Sequence, residues 1–373
     1  MTWVFWGSAM LIAYSYVGYA GWLWLRVRLR PWPILRGPQE PYASIAMVVR
    51  NEERWLESKM ENLLALDYPQ SLYQIVVVSD GSTDRTDVIL RQYADNPRVT
   101  LLMNQLPRGK AAGVNDAISL AAGEIVILTD ARQKIESGAI RLLVENFADP
   151  QVGCVSGALM LGDPESGEAL KGMGLYWRIE KKIRELESES GSVVGATGAL
   201  YAVRKELLTP VPEGTILDDV YIPLQVARQK KRVVFEPRAR VWDDPDLGAE
   251  REFARKVRTL SGNYQLVQLA PWLLKSENPL RFEFISHKLL RLVVPFALAA
   301  LLVGSIVLTG PVYRSALALQ TAFYGLGLLA GLRVSRGPLA RMSDAALTFV
   351  MLNGAAAVAF VNFVTGRKAA WIR

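Results

Sequence analysis

The chain has 373 residues, of which 51% are hydrophobic, and carries 43 Lys and Arg against 36 Asp and Glu. A single cysteine, Cys154, excludes an intrachain disulfide, and a single histidine, His287, excludes a histidine-cluster metal site and argues against a Ser-His-Asp triad. The sequence contains no DNA- or RNA-binding module, so the basic excess fits a membrane partner better than a nucleic acid.

Four uncharged stretches each approach the roughly 20 residues that a helix needs to cross a bilayer core. They are 2–25, 292–313, 315–332 and 345–366. The alternative for each is a buried core helix, and 315–332 is the weakest candidate because it is the shortest. The first stretch exceeds the length of a signal-peptide core and no Lys or Arg precedes it, so we expect a permanent anchor.

The charges next to these stretches predict the topology. Directly after the first stretch come Arg26, Arg28, Arg30 and Arg36. By the positive-inside rule they place the amino terminus outside and the next domain in the cytosol of a multi-pass cell-membrane protein, with the arginines near anionic headgroups. Three further spans would put the carboxyl tail outside, yet the tail carries Arg367, Lys368 and Arg373. Either one of the four stretches does not cross the bilayer, or the basic tail lies outside despite the penalty that the positive-inside rule implies.

The predicted organisation follows from these features. It comprises an amino-terminal transmembrane helix at 1–27, a basic, proline-containing linker at 28–42, a catalytic domain at 43–264, an amphipathic interfacial segment at 265–288, about three transmembrane helices at 289–366 and a basic tail at 367–373. His287 would then lie at the mouth of the second span, where we expect its ring to snorkel toward the interface.

Short apolar runs alternate with amphipathic stretches in the catalytic domain, which is typical of parallel strands joined by crossover helices. The pattern predicts an α/β fold with a mostly parallel, Rossmann-like sheet. Strands are expected at 45–49, 75–78, 99–103 and 124–130, and helices at 55–66, at 86–93 and from 109 onward. The lone Cys154 falls in an apolar run and is expected to be a buried strand thiol.

The motif Ser79-Asp-Gly-Ser-Thr-Asp84 directly follows the second predicted strand. Open α/β sheets bind nucleotides at the carboxyl ends of their strands, so Asp80 could accept hydrogen bonds from a ribose or a base. The alternative is a plain turn that caps the next helix, since Ser82, Thr83 and Asp84 are good capping residues.

Other charged side chains follow neighbouring strands. Glu52 or Glu53 comes after the first strand, Asp130 ends the fourth, and Lys110 lies near a helix start. Together with Asp80 they could form one crevice for a nucleotide diphosphate, with carboxylates at the ribose, base and metal and the ammonium near phosphate. The alternative for Lys110 is an ordinary solvated lysine in a first helical turn.

The order of these motifs resembles a known family. The segments that carry the likeness are 46–53, 78–84, 109–112, 128–132, 195–201 and 217–219. They are similar to the nucleotide-binding half of family 2 glycosyltransferases with the GT-A fold, over residues from about 43 to 265. Within that family, hyaluronan, cellulose and poly-N-acetylglucosamine synthases place the same domain between membrane helices.

The resemblance implies an inverting transfer from a nucleotide sugar, with a uridine nucleotide expected. An acceptor hydroxyl attacks the anomeric carbon, and a side chain takes its proton. Asp219 matches the family's base position and Asp218 the preceding acid. On an extended strand neighbouring side chains point to opposite faces, so the two roles should differ. If the pair instead begins a helix, both could be caps.

The resemblance also implies a divalent cation, Mg²⁺ or Mn²⁺, held by the second acid of an Asp-x-Asp motif. In this chain Arg132 stands at that place, after Asp130. Either Arg132 turns away and Asp130 holds a mostly hydrated metal, or the guanidinium partly replaces the metal at the diphosphate.

A second departure lies near residue 258, where processive synthases carry Gln-x-x-Arg-Trp. Arg258 keeps the arginine, which could clamp the diphosphate, but Arg255 and Thr259 replace the glutamine and the tryptophan. The alternative is a basic amphipathic helix on the headgroups. Trp177, in the charged helical stretch 176–187, is a further candidate acceptor contact, although ordinary packing also explains that stretch.

Three functions remain open from the sequence. The first is a membrane glycosyltransferase that extends a polysaccharide or related glycan, and the second is a single-addition transferase on a lipid-linked acceptor. Four spans are few for an export channel in one chain, which favours the second function or an oligomer. The third is a catalytically silent subunit that binds a nucleotide sugar, which the Arg132 replacement favours and the intact Asp218-Asp219 pair opposes.

Overall fold

Eight strands form one sheet at the centre of the computed structural model, which describes residues 1–162, 175–243, 248–332, 334 and 337–367. The side chain of Trp177 and the tail residues Lys368 to Arg373 lie outside the described part. The strands are β1 (Ala43–Val49), β2 (Tyr73–Asp80), β3 (Val99–Asn104), β4 (Ile125–Thr129), β5 (Lys134–Ile135), β6 (Val152–Leu161), β7 (Leu200–Arg204) and β8 (Arg232–Asp243).

Helices cover both faces of the sheet and extend beyond it. They are α1 (Thr2–Ala13), α2 (Tyr19–Leu29), α3 (Leu56–Leu64), α4 (Thr86–Arg91), α5 (Lys110–Leu120), α6 (Ala139–Val144), α7 (Leu175–Ser190), α8 (Asp218–Arg228), α9 (Gly248–Leu269), α10 (Arg281–Phe284), α11 (Leu290–Val307), α12 (Pro311–Gly331) and α13 (Pro338–Val364). Single π-helical turns join α1 to α2 and α10 to α11. The predicted domain boundary after residue 264 falls inside α9.

The sheet order is β3-β2-β1-β4-β7-β6-β8-β5. Strands β3, β2, β1 and β4 run parallel to one another, as the sequence predicts. Strand β7 is antiparallel to both β4 and β6, β8 is parallel to β6, and β5 is antiparallel to β8. The sheet is therefore mixed, and the prediction of a mostly parallel sheet holds only for its first half.

Both faces of the sheet are buried, which explains why the strands are continuous apolar runs. Along β2, Ile75 and Val77 point into one core while Val76 and Val78 point into the other. Cys154 in β6 is buried in the second core, as expected. Because β1, β2 and β4 are parallel neighbours, their carboxyl ends meet at one edge, where the polar residues that follow them are brought together.

Two helical stretches, Arg281–Val307 and Leu339–Val364, are long and apolar enough to cross a bilayer by length and composition. A buried helix of a soluble protein can pass the same criteria. The other two predicted spans also form helices, in α1 with α2 and in α12, without meeting those criteria in the described residues.

The chain between α2 and β1 lies against the catalytic domain. The buried guanidinium of Arg232 donates to the backbone carbonyl of Trp32 at 2.8 Å and stacks over the Trp32 ring. Arg36 forms an ion pair with Glu236 at 3.1 Å, and Arg26 donates to Glu283 at 2.5 Å. These two arginines, which we expected near headgroups, are thus paired within the protein.

His287 is buried, with 2% of its surface exposed, so the expected snorkelling position is wrong. Its Nδ1 lies 2.8 Å from Glu187 and its Nε2 lies 3.0 Å from Glu180, both on α7. Tyr19 on α2 donates to the same Glu187 at 2.7 Å. A buried polar network therefore joins α2, α7 and the π-helical turn before α11.

Candidate active site

Asp80 ends β2 and fixes the turn that precedes α5. Its two carboxylate oxygens accept hydrogen bonds from the backbone N–H groups of Arg108 at 2.7 Å and Gly109 at 2.8 Å, and the residue is 2% exposed. Gly109 has φ +95°, a conformation that favours glycine. Asp80 thus anchors the backbone that begins the helix of Lys110.

Gly81 supports the same turn from the other side. Its φ is +64°, and a Cβ atom at this position would lie 2.5 Å from the backbone nitrogen of Pro107. Only glycine fits this conformation and this approach. Asp84 accepts a hydrogen bond from the N–H of Thr86 at 2.9 Å, which is the capping geometry expected at the start of α4.

Lys110, the first residue of α5, reaches the ends of two other elements. Its Nζ lies 2.9 Å from Asp130 Oδ1, after β4, and 3.6 Å from Asp218 Oδ1, in α8. Burial lowers the pKa of Lys110, but the charges of Asp130 and Asp218 raise it more, so the net shift is upward and the amine is charged. The structure therefore brings together three of the predicted site residues.

Glu52 faces the same edge, whereas Glu53 accepts a hydrogen bond from the backbone of Arg85 at 2.9 Å. Burial, reinforced by the negative charge of Asp130, raises the pKa of Glu52 to about 7. Two carboxylates that share one partly dry site repel each other in this way. A cation placed between Glu52 and Asp130 would relieve that repulsion.

Asp218 and Asp219 form the first turn of α8. They do not lie on an extended strand, so the expectation that their side chains point to opposite faces of a strand is wrong. Their roles still differ, because Asp218 approaches Lys110 whereas Asp219 Oδ2 accepts a hydrogen bond from the N–H of Gly198 at 3.2 Å. Burial, followed by the charge of Asp218, raises the pKa of Asp219 to about 6, and Lys110 opposes the rise. Such a carboxylate is ionised and still usefully basic at neutral pH.

The loop 195–198 holds Asp219 closely. The N–H of Ala196 donates to the backbone carbonyl of Asp219 at 2.8 Å, and a Cβ atom on Gly198 would lie 3.1 Å from Asp219 Oδ2. Glycine at 198 therefore lets the backbone contact this carboxylate directly.

Arg132 turns toward Asp243 at the end of β8, with which it forms an ion pair. The side-chain amide of Gln133 also donates to Asp243 Oδ2 at 3.3 Å, and the guanidinium of Arg255 on α9 lies 3.6 Å from the same Oδ2 atom. Asp243 is 2% exposed, and its Oδ1 has no hydrogen-bond partner among the residues that the structure describes. Asp243 is not among the residues predicted from the sequence, although an acid at the end of an apolar strand is the signal that identified Asp80 and Asp130.

Arg258 lies on α9, one turn beyond Arg255, and is half-buried. Because residues three apart on a helix are neighbours, Arg258 shares the region of α9 that approaches Asp243. Its predicted contact with a diphosphate stays a prediction, as do the ligand contacts of the other site residues.

The described residues contain no cluster of three His, Cys, Asp or Glu side chains that could hold a metal ion by themselves. Asp130 keeps 39% of its side chain exposed beside Lys110. Mg²⁺ is often held by one or two carboxylates together with substrate phosphates and water. The site therefore fits a cation that has Asp130 as its protein ligand and completes its coordination from the donor.

Carboxylates and a lysine at the carboxyl ends of parallel strands are the arrangement with which open α/β sheets bind nucleotides. Residues 44–209 match the family model described as glycosyl transferase family 2. The match includes Glu52, Asp80, Lys110 and Asp130 and ends before Asp218. Residues 44–209 therefore form a glycosyl transferase family 2 domain, and the match supports a glycosyltransferase enzyme.

Two relatives and one solved structure illustrate the likeness. The chain is 25% identical over 233 residues to a poly-beta-1,6-N-acetyl-D-glucosamine synthase of Staphylococcus epidermidis, covering 61% of this chain and 56% of the relative. It is 26% identical over 196 residues to a beta-monoglucosyldiacylglycerol synthase of Nostoc sp., covering 51% and 42%. The chain thus matches about half the length of these curated relatives.

The solved structure is a mannosyltransferase from Pyrobaculum calidifontis in complex with GDP-Man and Mn²⁺. It superposes with a TM-score of 0.74 and 24% identity, over 96% of this chain and 98% of the mannosyltransferase. The likeness shows a common fold, which extends over nearly the whole of both chains.

Proposed function

We propose that this protein is a membrane-bound inverting glycosyltransferase that moves a sugar from a nucleotide sugar, with UDP as the expected nucleotide, to a growing glycan. The observation that carries the proposal is the position of Lys110 between Asp130 and Asp218, beside the partly buried Asp219. The reaction needs a cation that binds the anionic donor and a base that takes the proton of the acceptor hydroxyl, and we assign these roles to Lys110 and Asp219.

The donor side of the site is the edge formed by β1, β2 and β4. Asp80 positions the turn before Lys110, and the ammonium is expected to contact the diphosphate when the donor displaces Asp130 from it. Asp80 keeps free lone pairs on both oxygens, so a contact with ribose or base remains compatible with its backbone hydrogen bonds.

The transfer itself needs one proton acceptor. The acceptor hydroxyl oxygen forms a bond to the anomeric carbon while the bond from that carbon to the diphosphate oxygen breaks, and the electron pair of the broken bond leaves with the diphosphate. Asp219 takes the hydroxyl proton, and the N–H of Gly198 holds its carboxylate in place. The products are the glycosylated acceptor, with inverted anomeric configuration, and a nucleoside diphosphate.

Charge on the leaving diphosphate is neutralised by the side chains around it. Lys110 lies 2.9 Å from Asp130 and 3.6 Å from Asp218, and Arg132 and Arg258 are the candidates for further phosphate contacts. A divalent cation bound at Asp130 would supply additional Lewis-acid stabilisation of the diphosphate. The pairing of Arg132 with Asp243 supports the option in which Arg132 leaves Asp130 free to bind that cation.

A bilayer location is supported by the carboxyl-terminal helices. In the apolar windows of Arg281–Val307 and Leu339–Val364 only 28% and 22% of the residues are buried, whereas a core helix would be mostly covered. The amino-terminal helix also exposes large apolar side chains, including Trp3 at 91%. These surfaces favour a multi-pass protein of the cell membrane whose catalytic domain faces the cytosol, alone or in an oligomer.

A second candidate function is the addition of one sugar to a lipid-linked or lipid acceptor. The likeness to a beta-monoglucosyldiacylglycerol synthase favours it, and so does Thr259, which stands where processive synthases carry tryptophan. The likeness to a poly-beta-1,6-N-acetyl-D-glucosamine synthase favours chain extension instead. A silent nucleotide-sugar-binding subunit is the remaining alternative.

One experiment separates these functions. The detergent-purified protein is incubated with radiolabelled UDP- and GDP-sugars and a membrane lipid extract, and the products are resolved by size and by extraction into organic solvent. Labelled polymer would support chain extension, and a single-sugar lipid would support single addition. Donor binding without release of nucleoside diphosphate would contradict an enzymatic role.

A further inference from the structure

Lys59 is a buried lysine that the proposed transfer does not use. It lies on α3 with 3% of its surface exposed. Its amine donates to Thr129 Oγ1 at 3.0 Å and to the backbone carbonyl of Gln133 at 2.7 Å. Both acceptors are neutral groups, so within the described part of the chain no carboxylate accepts a hydrogen bond from this buried amine, which is an uncommon and costly arrangement.

The two acceptors of Lys59 lie on either side of Asp130 and Arg132. The segment 129–133 leaves the sheet at the end of β4 and enters β5, and it carries both of the side chains that we expect to face the diphosphate. One amine therefore ties the two ends of this short loop to the same point on α3. A loop anchored at both ends presents the side chains between them in a fixed position.

A chain of contacts continues from Thr129 toward the candidate base. The Thr129 hydroxyl donates to the backbone carbonyl of Ala199 at 2.8 Å while it accepts from Lys59. The neighbouring residue, Gly198, donates its N–H to Asp219. Lys59 is thus connected through Thr129 to the loop that orients Asp219, as well as to the loop of Asp130.

The charge of the amine also matters at this place. Burial lowers the pKa of Lys59 to about 7, and the negative charge of Asp130 opposes that shift. In its protonated form Lys59 places a positive charge next to the loop 129–133, and such a charge attracts a polyphosphate donor. That electrostatic contribution adds to the positioning of the loop.

We infer that Lys59 is a positioning residue for donor binding, which holds the loop 129–133 in the conformation that presents Asp130 and Arg132 to the diphosphate. The inference rests on the proposed function, because it assumes that this loop contacts a nucleotide sugar. It predicts that loss of the amine weakens binding of the nucleotide and leaves binding of the acceptor unchanged.

A matched control is available on the same helix. Asn62, one turn after Lys59, also makes two hydrogen bonds to this region, donating to the carbonyl of Ile135 at 2.9 Å and accepting from its N–H at 2.8 Å. Asn62 is uncharged and contacts β5 beyond the loop. Lys59→Met and Asn62→Leu therefore remove the same number of hydrogen bonds and differ in what those bonds hold.

The test is isothermal titration of UDP, and separately of GDP, into the full-length protein in detergent with Mg²⁺ present, alongside thermal unfolding of each variant. We expect Lys59→Met to raise the Kd of the bound nucleotide about tenfold or more and Asn62→Leu to change it less than about twofold. In turnover assays Lys59→Met should raise the donor KM and leave the acceptor KM unchanged.

Two results would overturn the inference. One is a Lys59→Met protein that binds the nucleotide as tightly as the wild type, and the other is an equal loss of affinity in both variants, which would mean that Lys59 acts only through folding. If the wild type itself bound neither nucleotide, the proposed function would fail first. A wild type that binds UDP or GDP without turnover would leave the positioning role standing and exclude the enzymatic one.

Discussion

The amine of Lys110 lies 2.9 Å from the carboxylate of Asp130, although Lys110 begins α5 and Asp130 follows β4. The pair joins the amino-terminal end of α5 to the carboxyl end of β4. An ammonium at a helix start is unfavourable unless an anion lies nearby, and the carboxylate of Asp130 supplies that anion. The contact explains why a lysine is tolerated at this position.

Asp219→Asn should lower kcat by about 100-fold to 10,000-fold, because asparagine cannot take the acceptor proton. The Kd of the donor should change little, since Asp219 lies on the acceptor side of the proposed site. Initial rates and nucleotide titrations measure the two effects separately. Asp95→Asn, which neutralises an exposed carboxylate after α4, is the control. Full turnover in Asp219→Asn would mean that another group is the base.

Activity should rise with pH through about 6, where Asp219 loses its proton. The sign follows from its role: a general base must be ionised, and a pKa raised by burial moves that ionisation upward from the usual range of an aspartate. The measurement is kcat between about pH 5 and pH 8 at saturating donor and acceptor. A rate that is constant across this range would contradict the assignment of Asp219.

Removal of divalent cations should abolish turnover, because Asp130 has an exposed carboxylate and Arg132 is engaged with Asp243. Dialysis against excess EDTA should stop the reaction, and Mn²⁺ or Mg²⁺ should restore it. Activity that persists unchanged in EDTA would show that side-chain cations, with Arg132 among them, replace the metal.

Gly81→Ala should destabilise the protein by roughly 1–3 kcal/mol, because alanine at φ +64° is strained and its Cβ would collide with Pro107. It should also weaken donor binding, since the 106–109 turn positions Lys110. Thermal unfolding in detergent and nucleotide titration report the two effects. Gly138→Ala is the control, because its φ is −84° and a Cβ there meets nothing within 4 Å. Equal stability and equal donor affinity in Gly81→Ala and Gly138→Ala would contradict the expected role of Gly81 in this turn.

His287→Ala should lower the free energy of unfolding by about 3–5 kcal/mol, because it leaves the buried carboxylates of Glu180 and Glu187 without their shared partner. Unfolding in detergent measures the loss. The control is Tyr14→Phe, which removes one hydrogen bond to Ser286, the residue directly before His287. If the two variants unfolded alike, the His287 network would contribute little to the stability.

The parallel strands β1 to β4 and the positions of Asp80, Lys110 and Asp130 could be predicted because each depends on local pattern. Apolar runs of strand length mark the strands, and charged residues directly after them fall at the carboxyl edge. The antiparallel β7 could not be placed in this way, since its pairing with β4 and β6 is set by contacts distant in the chain. The same is true of the ion pair between Arg132 and Asp243.

Two errors have a similar origin. The Asp218-Asp219 pair begins a helix rather than lying on a strand. The sequence did not reveal this, because an apolar context of a few residues is too short to distinguish the period of a helix from that of a strand. His287 was expected at the interface because its neighbours are basic and apolar, but Glu180 and Glu187 approach it from α7 and make burial favourable.

The sequence by itself determined the likeness to family 2 glycosyltransferases, the α/β order of the first half of the sheet and the charged residues at its edge, because those depend on motif spacing and periodicity along the chain. Only the tertiary structure decided what each side chain contacts. It shows that Asp80 holds the turn before Lys110, that Arg132 pairs with Asp243, and that Lys59 supports the loop between β4 and β5. Ion pairs and buried hydrogen bonds form between groups that folding brings close, and their distance in space leaves no mark on the local sequence.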